Sequence, residues 1–449
     1  MVATKKKSKF KEKQEMAFTV INGDNNDNTL NALVGSGDFI LNGLLGNDTL
    51  NGADGDDILN GGAGDDILNG GAGIDSVSYA SGTTGVFIDL AFGIATDGLG
   101  GTDTLSSIEI ITGSDFADTI IGSTGDDVFN GRAGNDFIVG NDGNDRINGG
   151  AGNDFINGDA GIDTVTYFDA TAAITVSLAS GVANDGLGGT DTLFNIENVS
   201  GTQFGDTITG NAGNNIIRAG AGNDTITGGI GNDSLFGDNG NDSLFGGIGS
   251  DFLFGGNGDD FLNGGSGNDI LSGAAGNDTI VSGGGNDTVV YNNATSGVTV
   301  NLLTGTANDG LGGTDTLTSI RNVIGSSFND TLTGTSGANT LTGDSGDDTL
   351  NGLGGADILI GGAGNDILTG GFGADRFAFN NVSEGIDTIT DFSRATGDKI
   401  QIFSASFGSI STSDFSYAIG TGALSYLGTQ FAALNPNTAF TVGTDIVFV

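Results

Sequence analysis

The stretch Gly61-Gly62-Ala63-Gly64-Asp65-Asp66-Ile67-Leu68-Asn69 recurs, with small changes, every nine residues over much of the chain. Counted by place within this unit, it runs unbroken through four arrays: residues 43–78 with four units, 122–166 with five, 210–290 with nine and 334–378 with five. Position four is Gly in all twenty-three units. Position six is Asp in twenty-one of them, and Asn215 and Asn339 fill it in the other two, each in the first unit of its array. Position eight is always large and apolar, from Leu50, Leu59, Leu68 and Val77 to Leu359, Leu368 and Phe377. A fixed short period over hundreds of residues means a solenoid, in which units stack because none can bury its apolar side alone.

Six residues rich in Gly, Asn and Asp make a turn, several of them at positive φ, and three residues around one apolar side chain make a very short strand. Side chains alternate along a strand, so position eight points inward and positions seven and nine point out. The expected fold class is therefore all-β, a β-solenoid with one aliphatic side chain buried per step and the carboxylates aligned along the turns. Those carboxylates are Asp48, Asp57, Asp66 and Asp75 in the first array and Asp127, Asp136, Asp145, Asp154 and Asp163 in the second. The third array supplies Asp224, Asp233, Asp242, Asp251, Asp260, Asp269, Asp278 and Asp287, and the fourth Asp348, Asp357, Asp366 and Asp375.

Composition narrows what the turns can do. The chain has 86 Gly, one Pro and no Cys, His or Trp. Without Cys there are no disulfides and no thiolate metal sites, and without His there is neither an HExxH zinc site nor a Ser-His-Asp triad. Any metal is then hard and oxygen-bound, which leaves calcium or magnesium. A net charge of −43 repels nucleic acid and anionic lipid and attracts cations. No stretch is long and apolar enough for a membrane span, and no apolar run of signal-peptide type follows the lysines near the start.

The repeat resembles the G-G-x-G-x-D-x-U-x nonapeptide of the RTX, or hemolysin-type calcium-binding, family. The resemblance implies that two successive units make one coil of a parallel β-roll. It also implies that each calcium sits between a turn and the equivalent turn two units later, held by Asp carboxylates and backbone carbonyls. On that reading the twenty-one aspartates named above are metal ligands, and the cofactor is Ca2+ in multiple copies.

Three related inserts of 43 residues separate the arrays, at 79–121, 167–209 and 291–333. Tyr79, Tyr167 and Tyr291 open them, and Asp-Gly-Leu-Gly-Gly-Thr-Asp-Thr-Leu recurs at 97–105, 185–193 and 309–317. The copies lie 88 and 124 residues apart, a difference of whole nine-residue units, so the nonapeptide reads as the structural quantum. Val86, Ile88 and Leu90, like Val298, Val300 and Leu302, alternate as a half-buried strand before a turn at Gly93 or Gly305. Residues 98–106 themselves parse as a unit, with Gly101, Asp103 and Leu105 in place, and so do 113–121 apart from Phe116. The inserts are expected to be strands that thicken or cap the solenoid, with further calcium at Asp103, Asp191 and Asp315. A separate ligand-binding module is the other reading.

Residues 1–42 read as a basic tail and cap, with six lysines against Glu12 in the first thirteen residues; the plainer account of the tail is that translation starts at Met16. Residues 379–449 resemble the segment that closes RTX rolls, and Asp445-Ile446-Val447-Phe448-Val449 is similar to the acidic-then-apolar terminus of type I secretion substrates. A final β-strand accounts for the same five residues equally well.

Ordering Gly-rich turns is entropically expensive and stacked carboxylates repel, so the arrays are expected to be unfolded or molten without calcium. The expected life of such a chain is passage through the type I secretion machinery while unfolded, then folding on extracellular calcium as a structural, surface or adhesive component. Cell-surface glycan or self-assembly supplies the partner. No stretch remains for a catalytic domain, so no enzymatic activity is expected. The alternative is a carbohydrate-binding or accessory module of an extracellular enzyme or toxin system, suggested by Phe236, Phe245 and Phe254 at position nine of consecutive units. With two units per coil, Phe236 and Phe254 share one face and Phe245 lies on the other.

Overall fold

The computed structural model describes residues 18–33, 37–403, 407 and 410–449, so the lysine-rich tail lies outside the described residues. The chain forms two compact units, one up to Ser200 and one from Gly201 on, and the seam falls inside the second insert. Among the described residues helix is confined to short turns near the C-terminus, and almost everything else regular is strand. The chain is an all-β parallel β-roll.

In the first unit Leu41 pairs with Leu59 and Leu59 with Val77 in one sheet, while Leu50 pairs with Leu68 in the facing sheet. In the second unit Leu235, Leu253 and Leu271 follow each other in one sheet and Leu244, Leu262 and Ile280 in the other. Every partner is eighteen residues away, so two nonapeptides make one coil and successive units alternate between sheets. The position-eight side chains fill the space between the sheets: Leu41, Leu50, Leu59 and Leu68 are all 0% exposed. The structural quantum is thus the eighteen-residue coil rather than the nonapeptide, because a single unit added or lost would move every later strand to the opposite sheet.

The invariant Gly at position four has a steric cause. Gly64 has φ of 138°, and a Cβ on it would stand 2.0 Å from the carbonyl oxygen of Gly46 in the preceding coil. Position two is also left-handed, and here other residues tolerate the strain: Leu44 has φ of 87° and Leu353 of 70°.

The inserts lengthen one sheet rather than thickening or capping the roll. In the first, Ser76–Ser78 pairs directly with Ile110–Thr112, so that sheet continues as if nothing intervened. In the facing sheet Thr102–Ser106 pairs with Ile67–Asn69, then runs antiparallel to Ile94–Thr96, which runs antiparallel to Phe87–Asp89, which lies parallel to Thr119–Ile121. Three strands stand where one would. The third insert repeats this pattern. The extra strands lie in one sheet only, and Tyr79 and Tyr291, which open the inserts, are buried at 4% and 2% exposed.

At the C-terminal end antiparallel strands Phe415–Ala418, Ala423–Tyr426 and Thr429–Leu434 cover the last coil, with Phe379 meeting Phe431 edge-on at 4.9 Å. Ile446–Phe448 is a strand parallel to Lys399–Ile402. Asp445 before it is fully buried, 3.4 Å from both Lys399 Nζ and Arg394 Nε.

Candidate metal centres

The twenty-one position-six aspartates are all buried, none more than 3% exposed. The coil geometry gives each carboxylate one fixed duty. Within an array, Oδ1 accepts the main-chain N–H of the position-six residue eighteen places earlier, at 2.7 Å from Asp48 to Asp66 and 2.8 Å from Asp242 to Asp260. The other oxygen has no protein donor in any of the twenty-one; it is Oδ2 everywhere except Asp127, where Ser123 takes Oδ2 and Oδ1 is left. A buried carboxylate oxygen without a partner costs free energy, and this chain repeats the arrangement in every array.

The position-one glycines show where these oxygens aim. A Cβ on Gly43 would lie 2.3 Å from Asp48 Oδ2 and 2.4 Å from the carbonyl oxygen of Gly61 in the next coil. At Gly255 the same two atoms belong to Asp260 and Gly273, at 2.3 and 2.8 Å. Each turn therefore keeps a hollow into which a carboxylate and a carbonyl from adjacent coils converge. Among the described residues no three acidic side chains meet at one point, so backbone carbonyls must complete any coordination shell. The donor set is oxygen throughout, which suits a hard divalent cation such as calcium.

Electrostatics agree with that reading. Burial pushes the carboxyls of Asp136 and Asp260 up to about 8; the amide bonds from Asp118 and Asp242 oppose the rise, and neighbouring carboxylates add to it. Asp145, Asp224 and Asp348 rise to about 7 and Asp66 and Asp75 to about 6, burial again leading. A raised carboxyl pKa makes protons compete with a cation for these oxygens.

Where the repeat departs from Asp, the protein closes the turn itself. Asn339 accepts the Thr335 N–H at 2.7 Å and donates its amide to the Arg321 carbonyl at 2.7 Å. Asn215 accepts the Asn211 N–H at 2.9 Å. The inserts do likewise. Asp103 stands in register with the repeats, since its Oδ1 accepts the Asp66 N–H at 3.1 Å, but its Oδ2 takes the Tyr79 hydroxyl at 3.0 Å. Asp315 and Tyr291 form the same bond at 3.0 Å. Asp191 and Tyr167 occupy the equivalent buried places, and there too the phenol and the carboxylate interact. At Asp103 and Asp315, then, a phenol stands where a further calcium was expected.

Counting repeats passes over Glu109 and Glu197, whose carboxylates take the amides of Asp75 and Asp163 from within the inserts. Their signal in the sequence is faint, an acidic residue 34 positions beyond the last aspartate of an array. The position-nine rings divide between sheets as expected: Phe236 and Phe254 are 6.4 Å apart on one, with Phe252 5.7 Å from Phe236 and the Arg218 guanidinium 3.9 Å above that ring. Phe245 packs on Phe261 at 5.6 Å on the other. Among the described residues no helix is long and apolar enough to cross a membrane.

Ten stretches, together running over residues 42–77, 103–165, 200–289 and 324–380, match the family model of the RTX calcium-binding nonapeptide repeat. They span more than half of the chain. No curated protein matches it.

Proposed function

Because the chain belongs to the RTX calcium-binding nonapeptide repeat family and binds Ca2+ through many copies of that repeat, we propose that it is a secreted β-roll that folds when it meets extracellular calcium and then serves as a structural, surface or adhesive component. The twenty-one position-six aspartates are the ligands in this proposal, within the blocks 43–78, 122–166, 210–290 and 334–378. The observation that carries it is the buried carboxylate oxygen left without a protein donor in all twenty-one.

The chain's own residues divide the work. Oδ1 of each aspartate except Asp127 ties its turn to the previous coil, the other oxygen and a carbonyl of the next coil face the hollow, and Gly at position one, replaced only by Ala219 and Ser282, keeps it open. Calcium supplies the positive charge that turns repulsion between stacked carboxylates into a bridge. Where free calcium is scarce that bridge is lost, so the chain stays unfolded and fit for export by a type I secretion machinery, and residues 379–449 carry the cap and the export signal.

The RTX β-roll is typically non-catalytic, and the reading here is of a protein without enzymatic activity, its arrays and inserts being given over to the roll itself. A carbohydrate-binding or accessory role is the weaker reading, because Phe236, Phe254 and Phe245 turn toward neighbouring rings and Arg218 instead of standing clear.

Circular dichroism and hydrodynamic radius, each with calcium and with excess chelator, test the proposal. The expected result is a compact, strand-rich molecule in calcium and an expanded one in chelator. A chain that stays compact in chelator and melts at the same temperature after calcium is added overturns it.

A further inference from the structure

Each of the first three arrays passes into an insert through its last unit, and the first two handovers are built alike while the third is not. In the first, the Asp75 N–H donates to Glu109 Oε2 at 2.9 Å; in the second, the Asp163 N–H donates to Glu197 Oε2 at 2.8 Å. Inside an array that amide belongs to the aspartate eighteen residues on, so each glutamate has taken over an aspartate's place from 34 residues away. Asp75 and Asp163 are both 0% exposed, and Oδ2 of each is reached by no protein donor.

The hollow beside them is the one found within the arrays. A Cβ on Gly70 would lie 2.2 Å from the Ser107 carbonyl oxygen and 2.5 Å from Asp75 Oδ2. On Gly158 it would lie 2.3 Å from both the Asn195 carbonyl oxygen and Asp163 Oδ2. Each handover thus combines a buried, unpartnered carboxylate oxygen, a carbonyl oxygen aimed at the same point and a second carboxylate. That donor set suits a hard divalent cation. We propose that the Asp75–Glu109 and Asp163–Glu197 handovers each hold a calcium ion of their own, clasping insert to array, and that the third handover holds none.

The third differs at both key places. Arg321 stands where the glutamates stand, its N–H bonded to the Asp287 carbonyl as those of Glu109 and Glu197 are bonded to Asp75 and Asp163. It brings a positive charge where they bring a negative one. Ser282 replaces the position-one Gly; it is fully buried, and its Oγ donates to the Ser319 carbonyl at 2.8 Å. Its side chain fills the hollow, and its hydroxyl binds the carbonyl that faces the hollow in the other two. Asp287 keeps an unpartnered Oδ2, and its Oδ1 accepts the Asp269 N–H, so it still serves the turn before it.

This inference rests on calcium binding by the arrays, and its test separates the two. Native mass spectrometry of the calcium-loaded full chain counts bound ions one at a time. Glu109→Ala and Glu197→Ala are each expected to carry one ion fewer than the parent, and the double variant Ser282→Gly with Arg321→Glu one ion more. The double variant guards against misfolding, since an added ion cannot come from a damaged roll. An unchanged count in either glutamate variant, or no added ion in the double variant, overturns the inference while leaving the family's calcium binding intact. A parent chain that binds no calcium fails the earlier proposal instead.

Discussion

Asp48 donates its main-chain N–H to Oδ1 of Asp66 at 2.7 Å across eighteen residues, and the second oxygen of that Asp66 carboxylate meets no protein donor. One side chain therefore carries two separable functions, an acceptor that aligns coils and an oxygen directed at a cation. Substitutions that remove only one of them give different outcomes.

Asp260→Asn keeps an acceptor for the Asp242 N–H and puts a neutral amide where the free oxygen was. It is expected to lose the stabilisation of one site, about 2.7 kcal/mol when calcium stands at a hundred times Kd. The slope of melting temperature against the logarithm of calcium concentration reads this directly and should fall. Asn215 and Asn339 already hold the same place with their coils in register, so a folded variant is expected.

Raised carboxyl pKa values fix the sign of the pH dependence. Asp136 and Asp260 lie near 8 in the calcium-free fold and Asp66 and Asp75 near 6, against about 4 for an unfolded aspartate. Between pH 4 and 8 the calcium-free fold binds more protons than the unfolded chain, so its stability is greatest below about pH 4 and is lost as pH rises through 6 to 8. Calcium competes with those protons. Titration in weak buffer at neutral pH should therefore show proton release on calcium addition, and calcium affinity should drop as pH falls from 8 to 5. A titration with no proton release would mean the carboxylates are ionised beforehand.

Ala219 sits at a position one that is Gly in all but one other unit, with Asp224 as its aspartate. Its methyl occupies the hollow that stays open beside Gly255. Ala219→Gly is expected to weaken the chain in limiting calcium by about 0.5–1 kcal/mol, the usual entropic cost of glycine. In saturating calcium it should raise the melting temperature. Opposite signs in the two conditions, measured by thermal unfolding, are the specific outcome.

Tyr79→Phe removes the hydroxyl that closes Asp103 Oδ2 and keeps the buried ring. Leaving that oxygen unsatisfied costs about 1–3 kcal/mol. Since a protein donor and not an ion is lost, the melting curve should shift down by the same amount at every calcium concentration, its calcium slope unchanged. Asp260→Asn should change the slope, which separates the two kinds of turn.

Much of this was legible in the chain. Position eight read as core, and Leu50, Leu59 and Leu68 are fully buried; position six read as a row of carboxylates, and all twenty-one are buried with one oxygen that no protein donor reaches. The inserts were harder. Thr102–Ser106 alternates like any half-buried strand, and alternation alone does not say whether a strand lies on a sheet or within it. Tyr79 gave no hint that its phenol closes Asp103, because the two are brought together only by the meander between them. Glu109 and Glu197 were invisible to repeat counting, since 34 residues of irregular path separate them from the aspartates they serve.

The amide bonds along the turns have a direction. The N–H of Asp48 is taken by Asp66, that of Asp57 by Asp75 and that of Asp348 by Asp366, so each of these amides depends on chain that lies further toward the C-terminus. Shortening an array from its C-terminal side would therefore strip the position-six amides of its last coil of their acceptors, whereas shortening it from the N-terminal side would not.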